Sequence, residues 1–92
     1  MNYVTNANGT SIWSKPSTGE SDWLEYWKKK IGKKADCCGA IDCKSRYNLV
    51  GAHVQNVFSG RELYITPLCK TCNKRSGNFF VDTDLVRVPS GL

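Results

Sequence analysis

Tyr64-Ile65-Thr66-Pro67-Leu68-Cys69-Lys70-Thr71-Cys72-Asn73 is the stretch on which the fold turns. Its first half, with Glu62 and Leu63, is rich in β-branched and aromatic residues and reads as a strand over 62–66. Pro67 is expected to stop that strand, since proline cannot donate to a ladder. Cys69 to Arg75 reads as a short helix ended by Gly77. A Cys-x-x-Cys pair at a helix start puts both sulfurs on one side of the first turn. Backbone N–H groups there favour the thiolate.

Upstream, Asn48 to Val54 reads as a partner strand with Gly51 in its middle, and Asn56 to Gly60 as the connecting turn. Before the hairpin, Lys33 to Arg46 reads as a loop carrying Cys37, Cys38 and Cys43. A hairpin between two cysteine groups returns the first group to the second. Four thiolates so gathered suit a tetrahedral zinc ion. Cys38-Gly39-Ala40-Ile41-Asp42-Cys43 gives a Cys-x4-Cys knuckle, and Cys37 with Cys43 would give one residue more. Cys38 is favoured because Gly39 follows it directly and because adjacent cysteines point in different directions. The expected ligands are thus Cys38, Cys43, Cys69 and Cys72, with Cys37 left as a free thiol or a neighbour of the site. The order of knuckle, β-hairpin and short helix is that of a treble clef. The fold class expected is α+β, a small zinc-stabilised treble clef with an added N-terminal amphipathic helix.

That helix is expected over 22–31. Ser21 or Asp22 can cap it, and Asp22 with Glu25 has capping-box spacing. Trp23, Trp27 and Ile31 recur every four residues, and Leu24 widens the stripe. Glu25 can pair with Lys29. Lys28, Lys29 and Lys30 suit the last turn, and Gly32 supplies the stop. Residues 1–20 are polar and punctuated, and read as an N-terminal arm with a short strand at Tyr3–Thr5 and Trp13 as its apolar anchor. Residues 21–92 read as a single zinc-binding domain: the helix, the treble clef over 36–81, and a C-terminal strand and tail over 82–92. Phe79 to Val81 reads as a strand covering the site, and Leu85 to Val88 as another before Pro89.

A chain of 92 residues has room for one thin core, so a metal that closes the fold is physically useful. No apolar run approaches a membrane span, and the N-terminus shows no basic start or apolar stretch. The expected compartment is therefore the reducing cytoplasm, where clustered cysteines bind metal rather than pair as disulfides. The five cysteines are also an odd number. The net charge of +5 is uneven: residues 1–27 sum to −2, residues 28–77 to +8 and residues 78–92 to −1. Four zinc-bound thiolates contribute −2 with the ion, leaving about +3 overall. The basic segment holds every cysteine and the single histidine, His53. Lys28, Lys29, Lys30, Lys33, Lys34, Lys44, Arg46, Lys70, Lys74 and Arg75 form the expected basic face, with Tyr47 and Tyr64 available for stacking.

Cys38-x4-Cys43, Gly51-Ala52-His53-Val54 and the stretch from Tyr64 to Asn73 together resemble the zinc-bound HNH endonuclease domain. The resemblance covers about residues 36–80, roughly half of the chain. It implies a ββα-metal treble clef in which His53 stands where the general base would be. It also implies that Asn73 stands where a ligand of a catalytic Mg²⁺ or similar ion would be. Two positions depart from the family. Ala52 occupies the place of an acidic or histidine metal ligand, and no Asn stands where one usually orients the base. A phosphodiesterase needs a hard cation held by oxygen or imidazole ligands. The scaffold thus looks retained and the active site incomplete, and His53 reads as a semi-buried structural imidazole beside the zinc site.

The function expected is a non-catalytic binding module with a structural zinc. Its basic face would contact nucleic acid or a nucleic-acid-binding protein, with no membrane and no organic cofactor. In size it is similar to phage inhibitors such as anti-CRISPR proteins. The alternative expectation is a small HNH-type nuclease with His53 as base and Asn73 on the metal. A redox role for the Cys69-x-x-Cys72 pair lacks the βαβ context it would need.

Overall fold

A computed structural model describes residues 1–7, 22–58 and 62–88 of the chain. The expected stretch of turns over 8–20, Trp13, the Ser21 cap, Gly60 and Pro89 lie outside the described residues. Five strands form one antiparallel sheet: β1 (Asn2–Asn6), β2 (Leu49–Asn56), β3 (Leu63–Cys69), β4 (Asn78–Val81) and β5 (Val86–Arg87), in the order β4-β1-β2-β3-β5. One α-helix, α1 (Trp23–Ile31), packs on β2, β3 and β5. The fold of the described residues is therefore α+β, with one α-helix and a five-stranded sheet.

The segment expected to be an arm opens with an interior strand. β1 pairs with β2 through Val4↔Asn56 and Asn6↔Val54, and with β4 through Tyr3↔Phe80 and Val4↔Phe79. Asn-Tyr-Val-Thr-Asn alternates, and the alternation puts Val4 in the core. Period-two alternation then sorts the sheet into two faces. Val4, Ala52, Val54, Phe79 and Val81 point to one face and pack with Cys38, Cys69 and Cys72. His53 and Ile65 point to the other, where Trp23, Tyr26 and Trp27 of α1 meet them.

α1 begins where the sequence says it should. Asp22 accepts a hydrogen bond from the Glu25 N–H at 2.8 Å, and Gly32 ends the helix at φ 75° with its N–H on the Lys28 carbonyl. Its buried stripe differs from expectation. Tyr26 is buried with Trp23 and Trp27, while Leu24 and Ile31 are half-buried. The Tyr26 hydroxyl donates to the Arg87 carbonyl and Trp27 Nε1 to the Asp84 carbonyl at 2.8 Å, so β5 and its approach dock on this stripe. Glu25 pairs with Lys28 at 3.1 Å, one residue short of the expected Lys29. Gly51 is where the helix start meets the sheet. A Cβ there would collide with the backbone of Trp23 and Leu24.

Two expectations after Tyr64 need correction. Pro67 does not stop the strand: β3 runs through it to Cys69, with Pro67 opposite Gly51. The Pro67 carbonyl accepts from the Gly39 N–H at 2.7 Å, so it faces away from β2. The proline nitrogen faces the same way. β5 pairs only with Tyr64 and Ile65, so no ladder hydrogen bond is asked of Pro67. The expected helix over 69–75 is a single 3₁₀ turn, Cys72–Lys74, with no side-chain cap. Asn78 to Val81 then leaves for β4 after Gly77 at φ 82°.

Candidate metal centre

Two short segments meet at the end of β3. The first is Cys38 to Cys43, folded back on itself by the Cys43 N–H to Ala40 carbonyl bond at 3.0 Å. It is fastened outside by Gly39 on Pro67 and by the Ala40↔Val81 bridge to β4. A side chain at residue 39 would strike Thr83. The second is Cys69 to Arg75, in which the Cys72 N–H points at Cys69 Sγ at 3.4 Å. Lys70 N–H bonds the Asn48 carbonyl, and Cys38 N–H bonds the Ser45 carbonyl, so the intervening loop is pinned to both segments.

The sulfurs of Cys38, Cys43, Cys69 and Cys72 lie within 4.8 Å of one another, and Cys43 and Cys69 are 3.8 Å apart. Zinc–sulfur bonds of about 2.3 Å in a tetrahedron require sulfur–sulfur edges of about 3.8 Å. The four cysteines could therefore hold a metal ion with little movement. Cys37, half-buried, falls outside the group. The four brought together are the four read from the sequence.

Local electrostatics divide the thiols. Burial pushes Cys38 and Cys72 up, Cys72 far above the usual thiol range. Burial also works on Cys69, but the Cys72 N–H and the neighbouring thiols outweigh it and hold Cys69 low. A metal ion held by these cysteines would need them as thiolates, so its binding would release protons and strengthen with rising pH.

Asn6 of β1 is the residue that the sequence reading missed. Its Nδ2 donates to the Cys72 carbonyl at 2.8 Å and to the Arg75 carbonyl at 3.0 Å. Thr5 Oγ1 adds a bond to the Gly77 carbonyl. The 3₁₀ turn that carries Cys72 is thereby tied to a strand 66 residues earlier. No local signal in an Asn-rich N-terminal stretch announces such a bond.

His53 and Asn73 are not brought together. His53 is buried on the α1 face, edge-on to Trp23 with ring centroids 4.9 Å apart, and burial lowers its pKa. Asn73 is exposed on the 3₁₀ turn, which Asn6 holds to the opposite face of the sheet. The expectation that His53 lies beside the cysteines is corrected: the histidine packs against Trp23, and it is Ala52 and Val54 that pack in the cluster with Cys38, Cys69 and Cys72.

The basic face separates into paired and free charges. Lys28 pairs with Glu25, Lys33 with Asp84, Lys44 with Asp82, and Arg75 with Asp42 in a two-bond fork at 2.8 and 3.0 Å. Asp42 and Asp82 are held below the usual carboxylate range by these hydrogen bonds. Lys29, Lys30, Lys34, Arg46, Lys70 and Lys74 have no ion pair among the described residues. Arg46, Lys70 and Lys74 lie within a few residues of the cysteines in sequence and are exposed, as is the ring of Tyr47. Tyr64 is half-buried, its hydroxyl on Glu62, and is less available for stacking than Tyr47.

No family model, curated protein or solved structure matches the chain. The resemblance to HNH domains therefore rests on the residues quoted for it. Among the described residues no helix is long and apolar enough to cross a membrane.

Proposed function

We propose that this chain is a non-catalytic binding module closed by a structural zinc. Its partner is nucleic acid, or a protein that handles nucleic acid, met through the basic surface around the metal site. The observation that carries the reading is the group of four sulfurs within 4.8 Å of one another, two from each of two segments that the Arg75–Asp42 fork also joins. An all-thiolate set favours zinc or iron, and a closed set of four protein ligands is the arrangement of structural sites. Knuckle, β2–β3 hairpin and 3₁₀ turn follow one another in treble-clef order, with the helix shortened to one turn. The separation of His53 from Asn73 favours binding over hydrolysis.

The unpaired Arg46, Lys70 and Lys74 are the proposed phosphate contacts, and Tyr47 a stacking ring. Three phosphates neutralised on duplex DNA give a slope of about −2.7 in log K against log salt. Affinity should then fall about 40-fold between 50 and 200 mM salt. Fluorescence anisotropy on the zinc-loaded chain with labelled duplex and single strands measures this. Charge reversal at Lys70 and Lys74 should weaken binding strongly, and reversal at the ion-paired Lys28 weakly. Absence of binding to either strand form at low salt would refute nucleic acid as partner and leave an acidic protein surface.

A further inference from the structure

The four sulfurs are not equally placed. Cys38, Cys69 and Cys72 are 0, 5 and 4% exposed, whereas Cys43 is exposed. Its Sγ stands 3.8 Å from that of Cys69, between residues 26 apart in the chain. We propose that Cys43 is a modification site for hydroperoxides, at which oxidation opens the metal centre by linking Cys43 to Cys69. This rests on the metal reading of the site.

The chemistry balances with a hydroperoxide as the two-electron oxidant. The Cys43 sulfur attacks the peroxide oxygen. An S–O bond forms, the O–O bond breaks, and the leaving oxygen takes a proton and departs as water or an alcohol. Cys69 sulfur then attacks the Cys43 sulfenic acid. The S–S bond forms, the S–O bond breaks, and hydroxide leaves with a proton as water. Two sulfurs lose two electrons in all, and the peroxide gains them. Buried Cys38 and Cys72 are shielded from the oxidant, so the first oxidation falls on the exposed ligand. Two of four ligands are then committed to each other, and the ion is released. The new bond still joins the two segments, so the ends of the knuckle stay tied while the charge of the site changes.

The test uses the full chain loaded with zinc and one equivalent of hydrogen peroxide. Zinc release is followed with a metallochromic chelator, and the product is mapped by mass spectrometry. The expected result is loss of the bound zinc, a mass about 2 Da below the reduced chain, and a peptide linking Cys43 to Cys69. Cys37→Ser should react at the wild-type rate, and dithiothreitol with zinc should restore the starting state. Zinc retained under excess peroxide overturns the inference. So does oxidation mapped to Cys37, or a Cys37→Ser chain that no longer reacts. A chain that takes up no zinc at the outset overturns the metal reading instead, and the disulfide map still reports whether Cys43 and Cys69 are the pair.

Discussion

Asn6→Ala tests whether the N-terminal strand holds the metal turn in place. The substitution removes two hydrogen bonds, of 2.8 Å to the Cys72 carbonyl and 3.0 Å to the Arg75 carbonyl. Cys72 is buried, but its carbonyl still accepts from the Arg75 N–H at 3.1 Å, so the bond lost there is worth about 0.5–1.5 kcal/mol. Arg75 is half-exposed, so water can reach its carbonyl and the loss there is about 0.5–1 kcal/mol. One gain offsets this. Asn6 Oδ1 is buried without a hydrogen bond among the described residues, and alanine removes it, returning about 1 kcal/mol. The net destabilisation is about 1 kcal/mol. A chain of 92 residues has an unfolding entropy of about 0.19 kcal/mol/K, so Tm should fall by about 5 °C. Asn6→Asp is the sharper variant. It sets a carboxylate against two carbonyl oxygens and should cost more than alanine, although it is nearly isosteric. Circular-dichroism melts at saturating zinc measure both. A loss below about 0.5 kcal/mol for Asn6→Ala, or an Asp variant as stable as Asn, would refute the tether.

Three further outcomes are expected. Chelation of zinc from a chain held at a free concentration of 1,000 times Kd removes about 4.1 kcal/mol of stabilisation, a Tm drop of about 20 °C; a melt unmoved by chelator contradicts a structural ion. Gly51→Ala should cost about 1–3 kcal/mol in urea unfolding, because the new methyl meets the backbone of Trp23 and Leu24, which cannot rotate away. His53 has a folded pKa lowered by burial, so the unfolded chain binds the proton more tightly. Its contribution to stability is complete above the unfolded value of about 6.5 and is lost as pH falls through the folded value. At saturating zinc, wild type should therefore lose more stability than His53→Gln between pH 8 and pH 5, and equal losses would show that His53 does not titrate on unfolding.

What the sequence revealed was local, and what it concealed depended on distant neighbours. The Asp22 cap and the Gly32 stop are set within one helical turn, and both stand where they were read. The cysteine spacings are likewise short-range, and they picked out the four sulfurs that meet. Pro67 was misjudged because a proline's tolerance in a strand depends on the next strand over. β5 ends before reaching it, and that is not written near residue 67. The central place of β1 could not be read from five alternating residues, since its partners lie about 50 and 75 residues away. Tyr26 took the buried place expected of Leu24 because the Arg87 carbonyl waits for its hydroxyl.

The two faces of the sheet are closed by different means, and this explains why the cysteines sit where they do. On the α1 face, Trp23, Tyr26 and Trp27 bury large rings over Ile65 and His53. Such rings supply the area that a thin core needs. On the other face the buried side chains are mostly aliphatic, Val4, Ala40, Ala52, Val54, Leu68 and Val81, with Phe79 as a buried ring. Among the described residues no helix covers them, and the segments that do are a knuckle and a single 3₁₀ turn. Neither could hold itself down by apolar burial alone. The four sulfurs occupy the gap, and Asn6, Gly39 and the Ala40↔Val81 bridge align the segments so that the sulfurs converge. An ion at that point would do for one face what three aromatic rings do for the other. Its loss should therefore loosen the knuckle and the 3₁₀ turn before the tryptophan face, which keeps its own core.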